Sequence, residues 1–288
     1  MENRLRPLVE AELTRPVDPR VSAIAKAIAA RHGAASRAVL FYGSCLREHQ
    51  LEGLMLDFYL IVSDYSEAFD RRWLAIANRL VPPNVFPFHL GGLGAKYAVL
   101  SESDFHRLNG PETLNVSVWA RFAQPSRLVW SSGAEATKRA LDAVARAAPT
   151  LLSAARPLPD VGDGLEPWRH AFAKTYSAEL RAERKGRSGS IVDHDPERYR
   201  QFLQPALDTI EPGARSGGWG RRRIAGKLLS IVRLAKASAT YAGGAEYIAW
   251  KINRHAGTTI ELSAWQKRHP LLAAISLLPR LLRSGAIR

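Results

Sequence analysis

The chain has 288 residues, enough to bury one substantial core or two modest domains. Its hydrophobic fraction (46%) and charged fraction (24%) are ordinary for a folded soluble protein, but its formal charge of +14 is not. The single cysteine, Cys45, excludes an intramolecular disulfide and a thiolate zinc cluster, and no run of about 18 uncharged apolar residues suggests a spanning helix.

In chain order, the proline-bearing N-terminus (Pro7, Pro16, Pro19) has no apolar core and does not read as a signal peptide. Ile24, Ala25, Ile28 and Ala29 repeat at helical spacing and predict a helix over 21–32. Strands are expected at 37–42 and 54–62. Ser66 then caps a helix to Leu80 whose Phe69, Trp73, Ile76, Ala77 and Leu80 form an apolar face. Pro82 and Pro83 end it. Further strands at 86–90 and 96–100 are joined through Gly91-Gly92-Leu93-Gly94, which reads as a hairpin or bulge before a phosphate loop. Ser101 caps a helix to Leu108. The stretch 114–122 is open between helix and strand, and 127–130 is a short strand. The remainder is helical, at about 134–148, 168–185, 196–209, 221–241, 246–255 and 270–283. Asp193-His194-Asp195 reads as a polar loop capping the helix after Pro196 rather than as a metal site.

Chemistry concentrates in Leu40-Phe41-Tyr42-Gly43-Ser44 and the later run Met55-Leu56-Asp57-Phe58-Tyr59-Leu60-Ile61-Val62. A carboxylate in so apolar a run is costly to bury unless a cation or a hydrogen-bond network compensates it. Gly43 permits close backbone approach to a ligand, and the amides around Ser44 can cradle a phosphate, above all if a short helix starts there. Strand, Gly-Ser turn, short helix and Asp-bearing strand resemble how nucleotidyltransferases of the polymerase-beta type hold a triphosphate and its magnesium. That pattern usually has a second acid two residues on, where this chain has Tyr59.

The C-terminal quarter carries the charge: fourteen Lys/Arg from Arg215 onward stand against Glu246 and Glu261, about +12. Such a skew favours an anionic partner. Ile224, Leu228, Ile231 and Ala235 share one helical face, with Arg222, Arg233 and Lys236 opposite. The stretch 270–283, Leu-rich and ending in Arg280 and Arg283, has the length to lie in a bilayer interface, with Trp250 and Trp265 as anchors. Ordinary helix packing with a basic outer face is the alternative. No zinc-finger spacing, RNP motif or helix-turn-helix supports nucleic acid, which is not expected as a partner.

Six motifs in register resemble the mitochondrial-type phosphatidate cytidylyltransferases, the translocator assembly and maintenance proteins, and their bacterial relatives. They are Tyr42-Gly43-Ser44, Met55-Leu56-Asp57-Phe58, Lys96-Tyr97-Ala98-Val99-Leu100-Ser101, Ala120-Arg121-Phe122-Ala123-Gln124-Pro125, Tyr176-Ser177-Ala178-Glu179-Leu180-Arg181, and Ile231-Val232-Arg233 with Lys236. Gln124 stands where the family has lysine, Glu179 where it has aspartate, and Ala98 and Ala178 where it has glycines.

The resemblance implies an α+β architecture: a polymerase-beta-type nucleotidyltransferase domain over 1–135, a mixed sheet with flanking helices. A small helical, winged-helix-like domain over 136–215 and basic amphipathic C-terminal helices over 216–288 in contact with a membrane surface would follow. It implies a CTP:phosphatidate cytidylyltransferase making CDP-diacylglycerol with Mg2+, cytoplasmic and peripheral on the inner face of the cell membrane. CTP, phosphatidic acid and an anionic membrane surface would be its partners. Asp57 would be the metal ligand, with Lys96 and Glu179 catalytic; Tyr42, Gly43, Ser44, Arg121 and Arg181 would bind nucleotide. Arg222, Arg233, Lys236, Arg280 and Arg283 would meet lipid. The residues leave other roles open: a salt-bridged core acid for Asp57, a strand-edge lysine for Lys96, structural ion pairs for Arg121 and Arg181. The competing functions are a soluble nucleotidyltransferase acting on a small molecule, protein or tRNA, and a non-catalytic nucleotide- or lipid-binding module.

Overall fold

The computed structural model describes residues 4–48, 50–160, 162–179, 187–210, 217–240 and 263. One five-stranded mixed sheet lies at its centre, built from β1 (Ser36–Tyr42), β2 (Met55–Val62), β3 (Asn84–Leu90), β4 (Leu93–Ser101) and β5 (Ser126–Ser131). Their order is β3-β4-β2-β1-β5, antiparallel throughout except for the parallel pair β2/β4. The Gly-rich link is the β3/β4 hairpin, with Gly91 at φ +57° and Gly92 at φ +77°, left-handed values that suit glycine. The helices are α1 (Leu5–Leu13), α2 (Pro19–Arg31), α3 (Ser44–Glu48), α4 (Tyr65–Ala68), α5 (Arg72–Leu80), α6 (Glu102–Asn109), α7 (Ser117–Phe122), α8 (Ala134–Ala145), α9 (Ala147–Ala155), α10 (Glu166–Ala178), α11 (Arg187–His194), α12 (Pro196–Asp208) and α13 (Trp219–Thr240). The protein is thus a mixed α/β fold with a central sheet, flanking helices and C-terminal helices.

Side-chain alternation gives the sheet two buried faces. Leu56, Phe58, Leu60 and Val62 of β2 join Val39 and Phe41 of β1 beneath Val21, Ile24 and Ile28 of α2. On the opposite face Leu40, Tyr59, Ile61 and Leu100 pack with α1, α6, α7 and α8. The same apolar cluster runs on through Leu151 of α9, Trp168 and Phe172 of α10 and Tyr199 of α12.

Three features depart from the sequence reading. Helix α1 was not foreseen, yet Leu5, Val9 and Leu13 are buried at helical spacing. Pro7 is tolerated because it lies in the first turn, where its missing N–H costs no intrahelical bond. The helix expected from Ser66 to Leu80 breaks into α4 and α5, and Trp73, Ile76 and Leu80 are exposed. The inward side of α5 carries Ala75 and a buried asparagine: Asn78 Nδ2 donates to Val99 O at 2.9 Å, and Asn78 Oδ1 accepts the Asn84 N–H. Helix α13 is likewise inverted, with Ile224, Leu228 and Val232 outside and Arg222 buried. The expected helices at 246–255 and 270–283, with Trp250, Trp265, Arg280 and Arg283, lie outside the described residues, as does Arg181. None of the described helices is long and apolar enough to cross a membrane.

Candidate functional site

Strand register assembles the site. Tyr42 is the antiparallel partner of Asp57, and Asp57 is the parallel partner of Lys96, so three side chains stand abreast on β1, β2 and β4. They share the sheet face that carries Tyr59 and Leu40. Lys96 Nζ lies 3.0 Å from Asp57 Oδ1, with the two side chains 24% and 19% exposed. The pair therefore neutralises a carboxylate that β2 would otherwise bury at a cost, yet both groups keep some access to solvent.

At the end of β1, Gly43 has φ +98°, and a Cβ there would lie 3.0 Å from Asp57 Oδ2. Both the backbone angle and the contact require glycine. Ser44 opens α3 directly afterwards. Cys45 is buried, its Sγ 3.4 Å from Met55 O, and packs rather than reacts.

Behind this row lies a polar cluster walled by aromatic rings. Tyr42 and Tyr59 have ring centroids 5.3 Å apart, and Phe122 of α7 packs against both. Burial, with Asp57 and Tyr59 nearby, pushes the Tyr42 hydroxyl well above its ordinary value, against the pull of Arg121. Arg121 donates to the Ser117 carbonyl. Burial pulls its guanidinium down, but Tyr59, Glu179, Tyr42 and Asp57 more than offset this and hold it above the ordinary arginine value. Glu179, just past α10, also acts on Arg233 of α13, whose Nη1 lies 2.7 Å from Ser117 Oγ. Gln124 Nε2 donates to Ala120 O at 2.8 Å, on the same helix end.

The structure thus brings Tyr42, Gly43, Asp57, Lys96 and Arg121 together, with Glu179 adjoining through the arginines. Sequence reasoning overlooked Ser117 and the inward placing of Arg233. The available signal was Val81-Pro82-Pro83: two prolines lack N–H groups for the sheet ladder, and carbonyls beside them need donors from elsewhere. Arg233 Nε and Nη2 donate to Pro82 O at 3.0 and 2.6 Å, while Lys236 Nζ donates to Val81 O and, at 2.8 Å, to Pro83 O. Arg222 Nη1 donates to Thr113 O at 2.8 Å. The three basic residues of α13 expected to meet lipid therefore turn toward the protein's own carbonyls.

The donor set does not fit a protein-held divalent cation. Asp57 already faces an ammonium, Tyr59 stands where a second acid belongs, and no group of three metal-ligating side chains occurs among the described residues. Asp193 pairs with Arg169 at 2.5 Å, and Asp195 caps α12 through the Arg198 N–H.

No family model matches the chain, and no curated protein matches it. Among solved structures, a nucleotidyltransferase-like protein from Exiguobacterium sibiricum 255-15 aligns over 92% of this chain and 92% of that chain. The identity is 11% and the TM-score 0.30, a likeness too slight to carry an argument. The assignment to the phosphatidate cytidylyltransferases is corrected accordingly. Its motifs are short enough to coincide without a family match, no cluster of three metal-ligating side chains occurs among the described residues, and its lipid-facing arginines on α13 point inward.

Proposed function

We propose that the chain binds a nucleoside triphosphate at the Gly43–Asp57–Lys96 row and transfers its nucleotidyl group to a small-molecule, protein or tRNA acceptor. One observation carries the reading: Asp57 Oδ2 sits against a left-handed glycine at the end of a central strand, and Lys96 is bonded to its other oxygen. A polyphosphate would approach the Gly43–Ser44 amides at that corner, within reach of Lys96 and Arg121. On this reading the row would work as in a polymerase-beta-type nucleotidyltransferase, in which the protein mainly positions the reactants and stabilises charge.

In such a transfer an acceptor oxygen attacks the α-phosphorus. The bond from that phosphorus to the bridging oxygen breaks, and pyrophosphate leaves on the opposite side. Lys96 and Arg121 would neutralise charge on the departing pyrophosphate, and Asp57 would hold Lys96 in place. Any divalent ion would arrive with the nucleotide, as part of the substrate.

A second reading, nucleotide binding without turnover, is favoured by Tyr59 at the place of a second acid. The experiment that tests both supplies each α-labelled NTP to the purified protein with pools of small metabolites, protein and tRNA. Label on an acceptor with release of pyrophosphate supports transfer. Binding with no product supports the second reading, and no binding of any NTP rejects both.

A further inference from the structure

Helix α13 enters the site through a residue that its sequence places on an outer basic face. Arg233 Nη1 bonds Ser117 Oγ, and the carbonyl of the same serine accepts Arg121, so two guanidiniums are tethered to one residue. Ser117 is itself fixed, its Oγ donating to Asn115 Oδ1 at 2.7 Å. Neither arginine forms a salt bridge among the described residues. The nearby carboxylates are Glu179, which acts on both, and Asp57, which is already paired with Lys96.

Three cations thus share two carboxylates in a partly desolvated cluster. Burial, reinforced by Arg121, pulls Arg233 below the ordinary arginine value. Two like charges held this close in low dielectric are unfavourable unless an anion joins them. Each arginine also keeps donors in hand. Of five guanidinium N–H groups, Arg233 commits three to Pro82 O and Ser117 Oγ, and Arg121 gives one to Ser117 O and another to the Tyr42 hydroxyl.

We infer that Arg233 and Arg121, clamped on Ser117, form an anion subsite that takes the terminal phosphates of a polyphosphate, with α13 supplying one half of it. This rests on the triphosphate reading above and adds to it a residue from the C-terminal region. Paired planar forks suit phosphate oxygens better than point charges do.

The test is calorimetric titration of the full chain with pyrophosphate, inorganic triphosphate and NTP. It compares the wild type with Arg233→Gln, Arg233→Lys and, as control, Arg223→Ala on the exposed side of α13. Loss of one charged hydrogen-bonding partner should weaken pyrophosphate binding about 10- to 100-fold in Arg233→Gln, leaving Arg223→Ala unchanged. Should Arg233→Gln loosen α13, Arg233→Lys carries the test, because it keeps the charge and loses the fork. Wild-type affinity for pyrophosphate in a folded Arg233 variant overturns the inference, as does a wild type that binds none. NTP binding and turnover that survive in Arg233→Gln would remove the subsite and spare the proposed transfer. Pyrophosphate binding without NTP binding would do the reverse.

Discussion

Gly226 of α13 lies so close to the carbonyl oxygen of Ala178, at the end of α10, that a Cβ on it would stand 2.2 Å from that oxygen. The contact is with backbone, so no rotamer change can relieve it. Seven residues on, about two helical turns, Arg233 reaches Ser117, and Glu179 directly follows Ala178. This glycine therefore sets how deeply α13 seats beside the site. Gly226→Ala gains helix propensity but forces the helices apart, and we expect a net loss of about 1–3 kcal/mol. Pyrophosphate affinity should fall with it. Urea unfolding and the titration described above check both; an unchanged midpoint would show that α13 has room to spare.

At Gly43 the expectation combines strain and contact. Alanine at φ +98° costs about 1–2 kcal/mol, and its Cβ would press on Asp57 Oδ2. We expect Gly43→Ala to lose NTP binding at least about tenfold, since one lost charged hydrogen bond suffices for that, while the protein still folds. Asp57→Asn tests the other side of the contact. Its ion pair with Lys96 is partly solvated, so stability should drop by only about 1 kcal/mol. Transfer, in contrast, should fall steeply as Lys96 loses its anchor. Wild-type turnover in the Asp57→Asn protein would remove Asp57 from the chemistry.

What could be read from sequence follows from where the physics is local. β1 and β2 were legible because residues 37–42 and 54–62 are largely continuous apolar runs of strand length, and Gly43 marked the turn between them. The parallel pairing of Asp57 with Lys96 was not legible, because it depends on a crossover between strands well separated in the chain. The faces of α5 and α13 were misjudged for one reason. Apolar spacing at Trp73, Ile76 and Leu80, and at Ile224 and Leu228, points to an inward side that the structure instead exposes. The unpaired carbonyls of Val81, Pro82 and Pro83, and the N–H of Asn84, instead draw Lys236, Arg233 and Asn78 inward. Satisfying buried backbone outranked burying these apolar side chains.

The N-terminal helix is held by a charge pair that no local pattern reveals. Glu12 of α1 and Arg198 of α12 are buried, with Arg198 Nη2 donating to Glu12 Oε1 at 3.0 Å and Nη1 to Ala123 O at 3.1 Å. Removing one partner leaves a buried charge, so Glu12→Ala should destabilise by about 3–5 kcal/mol. Replacing both by methionine should recover most of that. Unfolding free energies of the two single variants and the double variant give the coupling directly. Additive losses would mean that the pair is solvated and that α1 is held by Leu5, Val9 and Leu13 alone.

Lys236 makes stability depend on pH in a fixed direction. Burial, with Arg233 beside it, pulls its ammonium down to about 7, against an ordinary lysine value of about 10.4. As a neutral amine it still has N–H groups for the Val81 and Pro83 carbonyls, so deprotonation need not break the contact. Between these two values the unfolded chain binds more protons than the folded one, so stability should rise as pH increases. Below about 7 both states carry the charge, and the burial cost is felt in full. Tyr42, Tyr65 and Tyr97, whose hydroxyls are held above their ordinary values, oppose this trend as tyrosine itself begins to ionise, near pH 10. The comparison with Lys236→Met cancels their contribution. Methionine forfeits the two carbonyl contacts at every pH, so the diagnostic is the slope rather than the offset. Urea titrations at intervals from pH 7 to 9.5 should show the wild type gaining steadily on Lys236→Met. Parallel curves would place the Lys236 ammonium in water and leave the Pro82–Pro83 carbonyls to other donors.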